Sequence, residues 1–335
     1  MPKKIMNDPA RVVPELLEGL MFASGGRIVQ VGPVGAIAKA SIPDGKVALL
    51  IGGGSGHEPL FHGFIGENMA DGAACGEIFA APSPDIILAV TRAVHRGNGV
   101  LYLYANYAGD IMNFDIAAEL ATEEGIRVRT VRIWDDVASA PAGEEHLRRG
   151  IAGDIFVIKI AGAAAAVFDD LDEVVRATEK ARDVTRSIGV AVAAGSIPQT
   201  GERTFELGDD EIEIGMGVHG EAGVLRRKMA PADEIVDLMA DYILDDLPFR
   251  SGDEVCLLVN NLGSTTMMEM LIATRRLSSI LDKRGIRVHH TAMGTFAACQ
   301  EMAGFSFTLM RLDDELRSLY DMPAISLGLT RLAHV

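Results

Sequence analysis

Two histidines and one aspartate stand in glycine-containing segments that follow apolar runs, and together these types could supply a nucleophile with its acid and base. His57 lies in Gly52-Gly53-Gly54-Ser55-Gly56-His57-Glu58-Pro59, where four glycines in five positions let the backbone turn sharply and expose its N–H groups to a ligand. His219 lies in Gly215-Met216-Gly217-Val218-His219-Gly220-Glu221, where flanking glycines leave an accessible imidazole suited to reaction. Asp110 closes Asn106-Tyr107-Ala108-Gly109-Asp110. Plainer readings stand beside these: a tight turn with an incidental histidine, a solvated imidazole, and a helix-capping aspartate.

Neighbouring chemistries fit less well. A phosphate-cradling P-loop needs a Lys-Ser or Lys-Thr pair that does not follow Gly52–Gly56. After His57-Glu58 the next histidine, His62, comes one position late for a zinc protease helix, and Pro59 interrupts. The segment from Gly215 to Gly220 matches a dinucleotide fingerprint formally, yet the chain continues irregularly to a helix near Pro231. Asp135-Asp136 could ligate a metal, although an Asp-rich turn after a strand serves as well. His62, His95, His146, His289, His290 and His334 have no glycine setting and read as structural or solvated.

Such residues need elements to hold them. Short β-rich runs occur at Lys46–Ile51, Gly99–Tyr104, Val128–Ile133, Ile155–Ile160, Gly189–Ala193, Ile212–Gly217, Glu254–Asn260 and Ile286–Ala292. Helical spacing marks Arg11–Ala23, Asp85–His95, Phe114–Glu124, Leu171–Ser187, Pro231–Leu244 and Thr266–Arg284. The alternation predicts an α/β protein with the three candidate residues at the carboxyl ends of strands, where open sheets bind ligands. With 335 residues and no Pro/Ser-rich linker, the expected division is residues 1–185 and 186–335, each domain having a central sheet flanked by helices.

The formal net charge of −16 repels phosphate backbones and anionic lipid, which argues against nucleic-acid and membrane partners. Cys75, Cys256 and Cys299 are odd in number and widely spaced, as suits reduced thiols in a cytoplasmic protein. The basic start of the chain lacks the apolar run of a secretion signal.

The three segments, with Gly76-Glu77-Ile78-Phe79, Arg148-Arg149-Gly150-Ile151-Ala152-Gly153, Lys159-Ile160-Ala161-Gly162-Ala163, Asn260-Asn261-Leu262-Gly263 and Ala303-Gly304-Phe305-Ser306, resemble the dihydroxyacetone kinase K-subunit family (DhaK). The resemblance runs over essentially the whole chain. It implies a homodimer of two α/β domains in which the histidine at 219 adds to a ketone carbonyl as a hemiaminal. A reversible covalent bond separates carbonyl substrates from polyols such as glycerol. It further implies that Asp110 takes the proton of the terminal hydroxyl, that His57 assists, and that Gly54, Ser55 and Gly56 give backbone contacts. No cofactor is expected on this chain; ADP or ATP with Mg²⁺ belongs to a separate L-type subunit, recharged in phosphotransferase-dependent systems by an M subunit.

Departures gather around the ligand: Ala105 and Ala108 stand where many members carry Lys and Thr, and Ala80-Ala81 where Thr-Ser is common. The expected substrate is therefore dihydroxyacetone or a four-carbon ketose such as erythrulose. Two other classes remain: a ligand-sensing coactivator, for which a general base at 110 is superfluous, and a lipid-binding α/β protein, for which a histidine in a glycine loop is superfluous.

Overall fold

The computed structural model describes residues 4–332, so His334 lies outside it. The first half runs α1 (Val12–Ala23), β1 (Ile28–Gln30), β2 (Ala36–Lys39), β3 (Ala48–Ser55), β4 (Gly66–Glu67), β5 (Gly72–Ile78), α2 (Pro84–Val94), β6 (Val100–Ala105), α3 (Ala108–Glu123), β7 (Val128–Ile133), α4 (Asp154–Val167) and α5 (Leu171–Asp183). The second runs β8 (Thr185–Ala193), β9 (Glu211–Ile214), β10 (Leu225–Lys228), α6 (Ala232–Asp246), β11 (Glu254–Asn261), α7 (Met267–Arg284), β12 (Arg287–Gly294), β13 (Ala303–Leu312), α8 (Asp314–Asp321), β14 (Ala324–Ser326) and β15 (Thr330–Arg331).

Two six-stranded sheets result, ordered β1-β2-β5-β3-β6-β7 and β10-β9-β8-β13-β11-β12. In the first, β5, β3, β6 and β7 are parallel, so their carboxyl ends share one edge. In the second, β11 with β12 is the parallel pairing and the other neighbours pair antiparallel. A third sheet, β15-β14-β4, brings the end of the described chain back to the first half.

Strand alternation sorts the core. Leu49 and Ile51 of β3 face α4 and α5, while Ala48 and Leu50 face α2 and α3. Likewise Cys256 and Leu258 of β11 join the α4/α5 core, and Val255, Leu257 and Val259 join α6 and α7. The α4/α5 layer thus lies between both sheets, and α4 is buried all round from Asp154 to Ala165. Among the described residues no helix is long and apolar enough to cross a membrane.

That burial explains one misreading: Ile155–Ile160, expected as a strand, lies in the first half of α4. A helix apolar on every side loses the amphipathic period, and its β-branched residues then mimic a strand. Several boundaries also differ. The helix begun at Leu171 stops at Asp183, and Thr185–Ser187 already belong to β8. The strand expected over Ile212–Gly217 ends at Ile214. Gly52 to Ser55, expected as a turn, continue β3. Gly53 is needed there for close approach, because a Cβ would sit 2.2 Å from the Phe61 ring.

Candidate active site

His57 follows directly on β3, the strand at the heart of the parallel sheet. Its ring is 4% exposed, and Nδ1–H donates to the Ala298 carbonyl at 2.8 Å. The loop that carries Ala298 is fixed by the buried Asn260 side chain, which accepts N–H groups from Phe296 and Ala297 and donates to the Ala297 carbonyl. Burial, then the charge of His219, pushes the His57 pKa down to about 3, so the ring is neutral near pH 7.

His219 comes from the loop after β9, in the other half. Its Nε2 lies 3.0 Å from His57 Nε2, and its Nδ1–H donates to Glu221 Oε1 at 2.9 Å. Burial works against the Glu221 charge, yet the hydrogen bond and charge of His219 prevail and hold its pKa at about 2. The rings of Phe79 and Tyr107 meet His219 edge-on at centroid distances of 5.6 and 4.9 Å. Phe79 adopts a left-handed φ of 57°, a strained conformation of the kind that clusters at functional sites.

The hydrogen-bond inventory fixes a proton count. Ala298 offers only a carbonyl and Glu221 a carboxylate, so His57 Nδ1 and His219 Nδ1 both carry protons. The two Nε2 atoms then face each other 3.0 Å apart, where a single shared proton would bridge them. The pair can therefore pass a proton at the point where His219 presents its nucleophilic nitrogen.

Asp110 lies in the first turn of α3, a helix that begins six residues before the expected start at Phe114. It is 8% exposed, its Oδ1 has no hydrogen-bond partner, and burial raises its pKa to about 7 against the lowering charge of His219. A small cavity brings Asp110 together with Gly54, His57 and His219, and Tyr107, Ala105 and Asp154 also line it. Ser55 and Gly56 are not in that lining: the Ser55 hydroxyl donates to the Gly76 carbonyl at 2.7 Å, and the Gly56 N–H donates to Glu58 at 2.8 Å.

Residue-by-residue reading missed Glu221, Phe79, Tyr107 and Asp154. Only Glu221 carried a signal of its own, being an acid two residues beyond a histidine in a glycine loop. The carboxylates of Asp135 and Asp136 are taken up by the N–H groups of Ile151 and Gly153 and by the Arg149 guanidinium, which is the turn-forming alternative. His289 pairs with Asp321 at 2.8 Å, and His290 Nδ1 lies 2.8 Å from the Tyr320 hydroxyl.

Known proteins are similar to this chain over most of its length. A PTS-dependent dihydroxyacetone kinase dihydroxyacetone-binding subunit DhaK of Listeria innocua is 42% identical over 323 residues, covering 96% of this chain and 97% of its own. A D-erythrulose kinase of Mycolicibacterium smegmatis is 40% identical over 321 residues, 96% of this chain but 55% of that protein. The crystal structure of the dihydroxyacetone kinase of C. freundii superimposes with a TM-score of 0.91 at 31% identity, over 99% of this chain and 61% of the other. With the Dak1 domain model matching residues 18–327 as well, the chain belongs to the Dak1 domain family.

Proposed function

We propose that this chain is the ketose-binding subunit of a dihydroxyacetone-type kinase, holding its substrate covalently on His219. The carrying observation is the Nε2 to Nε2 contact of His57 and His219 beside Asp110 in one cavity. In the adduct-forming step, His219 Nε2 gives the shared proton to His57 and attacks the ketone carbon. The resulting alkoxide then takes that proton back from His57, which leaves a hemiaminal O–H. The alkylated His219 ring keeps its positive charge and its Nδ1–H, balanced by Glu221. The charge is the same before and after, so a buried site gains no uncompensated ion.

With the carbonyl carbon fixed, a terminal hydroxyl can reach Asp110, which accepts its proton as the oxygen bonds to phosphorus and the donor's P–O bond breaks. Holding both centres in one place supplies the orientation such a transfer needs. Gly54 faces the ligand through its backbone, and Ser55 and Gly56 keep the strand end in shape. The phosphoryl donor, ADP or ATP with Mg²⁺, is carried by a separate L-type subunit. The chain works as a cytoplasmic homodimer without nucleic-acid or membrane partners, and its halves divide between α5 and β8, just ahead of the expected 185/186, which falls after the first residue of β8; the change of sheet there supports the proposal. Asp110 in the cavity favours an enzyme over a coactivator.

Carbon-13 NMR with carbonyl-labelled dihydroxyacetone tests the reading. The ketone resonance should convert to a tetrahedral one on the wild-type chain and not on His219→Ala, and phosphorylation should need an added L-type subunit. An adduct on His219→Ala equal to wild type overturns it. A second reading, a four-carbon ketose as substrate, is favoured by the methyl-sized Ala105 in the cavity wall and by the similarity to an erythrulose kinase.

A further inference from the structure

Two carboxyl groups line the ketose cavity, and the mechanism above uses one. Asp154 is the first residue of α4, is 0% exposed, and has no hydrogen-bond partner on either side-chain oxygen. Other polar groups of the lining are already engaged: the Tyr107 hydroxyl donates to the Gly150 carbonyl at 3.1 Å, and the two histidines bond each other, Ala298 and Glu221. Among the described residues of this lining, Asp110 and Asp154 are the side chains with unpartnered buried oxygens. A buried carboxyl without partners costs stability, and a bound group that completes its hydrogen bonds removes that cost.

A ketose held at its carbonyl carbon has two arms. One hydroxyl goes to Asp110. We propose that Asp154 is a substrate-binding residue that selects ketoses hydroxylated on both sides of the carbonyl, its carboxyl exchanging hydrogen bonds with the terminal hydroxyl that is not phosphorylated. This rests on His219 as the covalent anchor. Burial first, then the charges of Asp135 and Asp110, push the Asp154 pKa well above the usual carboxylate range, which favours the protonated form. A neutral acid offers one donor and one acceptor, the complement of an alcohol. The wall at Ala105 supplies no polar side chain, so this second contact falls to Asp154.

The test compares adduct formation by carbonyl-labelled dihydroxyacetone and hydroxyacetone, which lacks one hydroxyl, on the full chain. The wild type should favour dihydroxyacetone by at least ~10²-fold, because a site built to bond a hydroxyl rejects an analogue without it. Asp154→Ala and Asp154→Leu, which differ in the space they leave, should cut that preference about tenfold or more while the hydroxyacetone adduct persists. Asp154→Asn, still a donor and an acceptor, should keep most of it. Circular dichroism confirms the fold of each variant. An unchanged preference in folded Ala and Leu variants, or equal loss of both adducts, overturns the assignment of Asp154 alone. No adduct of either ketose on the wild type overturns the His219 reading and this one with it.

Discussion

Burial acts on His57 and Asp110 in opposite directions, keeping the histidine neutral and the carboxyl protonated to higher pH. As the proposed base, Asp110 must be ionised to accept a proton, so kcat/KM measured with an L-type partner should fall as pH drops below about 7, the value to which burial has raised it. Asp110→Asn should cost roughly 10²–10⁴-fold in turnover while leaving the His219 adduct intact, and loss of the adduct would make Asp110 a positioning group instead. Stability follows the same shift. A raised carboxyl contributes stability that is present below its unfolded range and lost as pH rises through the folded value, so Asp110→Asn should raise Tm at about pH 8 and not at about pH 4. His57, His219 and Asp110 were legible because glycine loops and strand ends advertise accessible side chains. Asp154 was not, since an aspartate opening a helix looks like any favourable first-turn acid until both its oxygens are found without partners.

At the scale of elements, legibility tracked amphipathicity. Half-buried helices such as α2 and α7 emerged close to their observed limits, whereas α4, buried on all sides, had no polar face to set its period. β5 escaped notice because Gly72-Ala73-Ala74-Cys75-Gly76 has neither branched residues nor alternation, although it pairs with β3 through the site. The small residues at the end of β3 let Phe61 pack against the strand and form part of the cavity wall. Gly53→Ala should therefore push that ring, and the ketose pocket should absorb the displacement. The expected result is an overpacking cost of about 1–3 kcal/mol in thermal unfolding together with a disproportionate loss of adduct in carbon-13 spectra. Equal ketose affinity in the folded variant would show that Phe61 yields elsewhere.

Across the whole molecule, the site belongs to neither sheet alone, and a buried ion cluster ties the halves together. Arg148, 0% exposed, donates to Asp246 at the end of α6 through both terminal nitrogens, and Arg186 of β8 donates to the same carboxylate. Burial opposes the Asp246 charge, but the two guanidinium hydrogen bonds keep its pKa low. Asp246→Ala strands two buried cations and should cost about 3–5 kcal/mol, read as a lower Tm, with Arg148→Ala similar; a change near zero would show that the cations reach water. Periodicity could not reveal such links, nor the return of β14 to β4, because each joins residues far apart in sequence. That return has a consequence for synthesis. The edge at Gly66–Glu67 is completed by Ile325 and Ser326, packed so closely that a Cβ on Gly66 would lie 2.0 Å from the Ile325 carbonyl oxygen. While the chain is being translated, that edge in the amino-terminal half stays open until Ile325 and Ser326 have been made, which leaves the nascent protein exposed to mispairing there in the meantime.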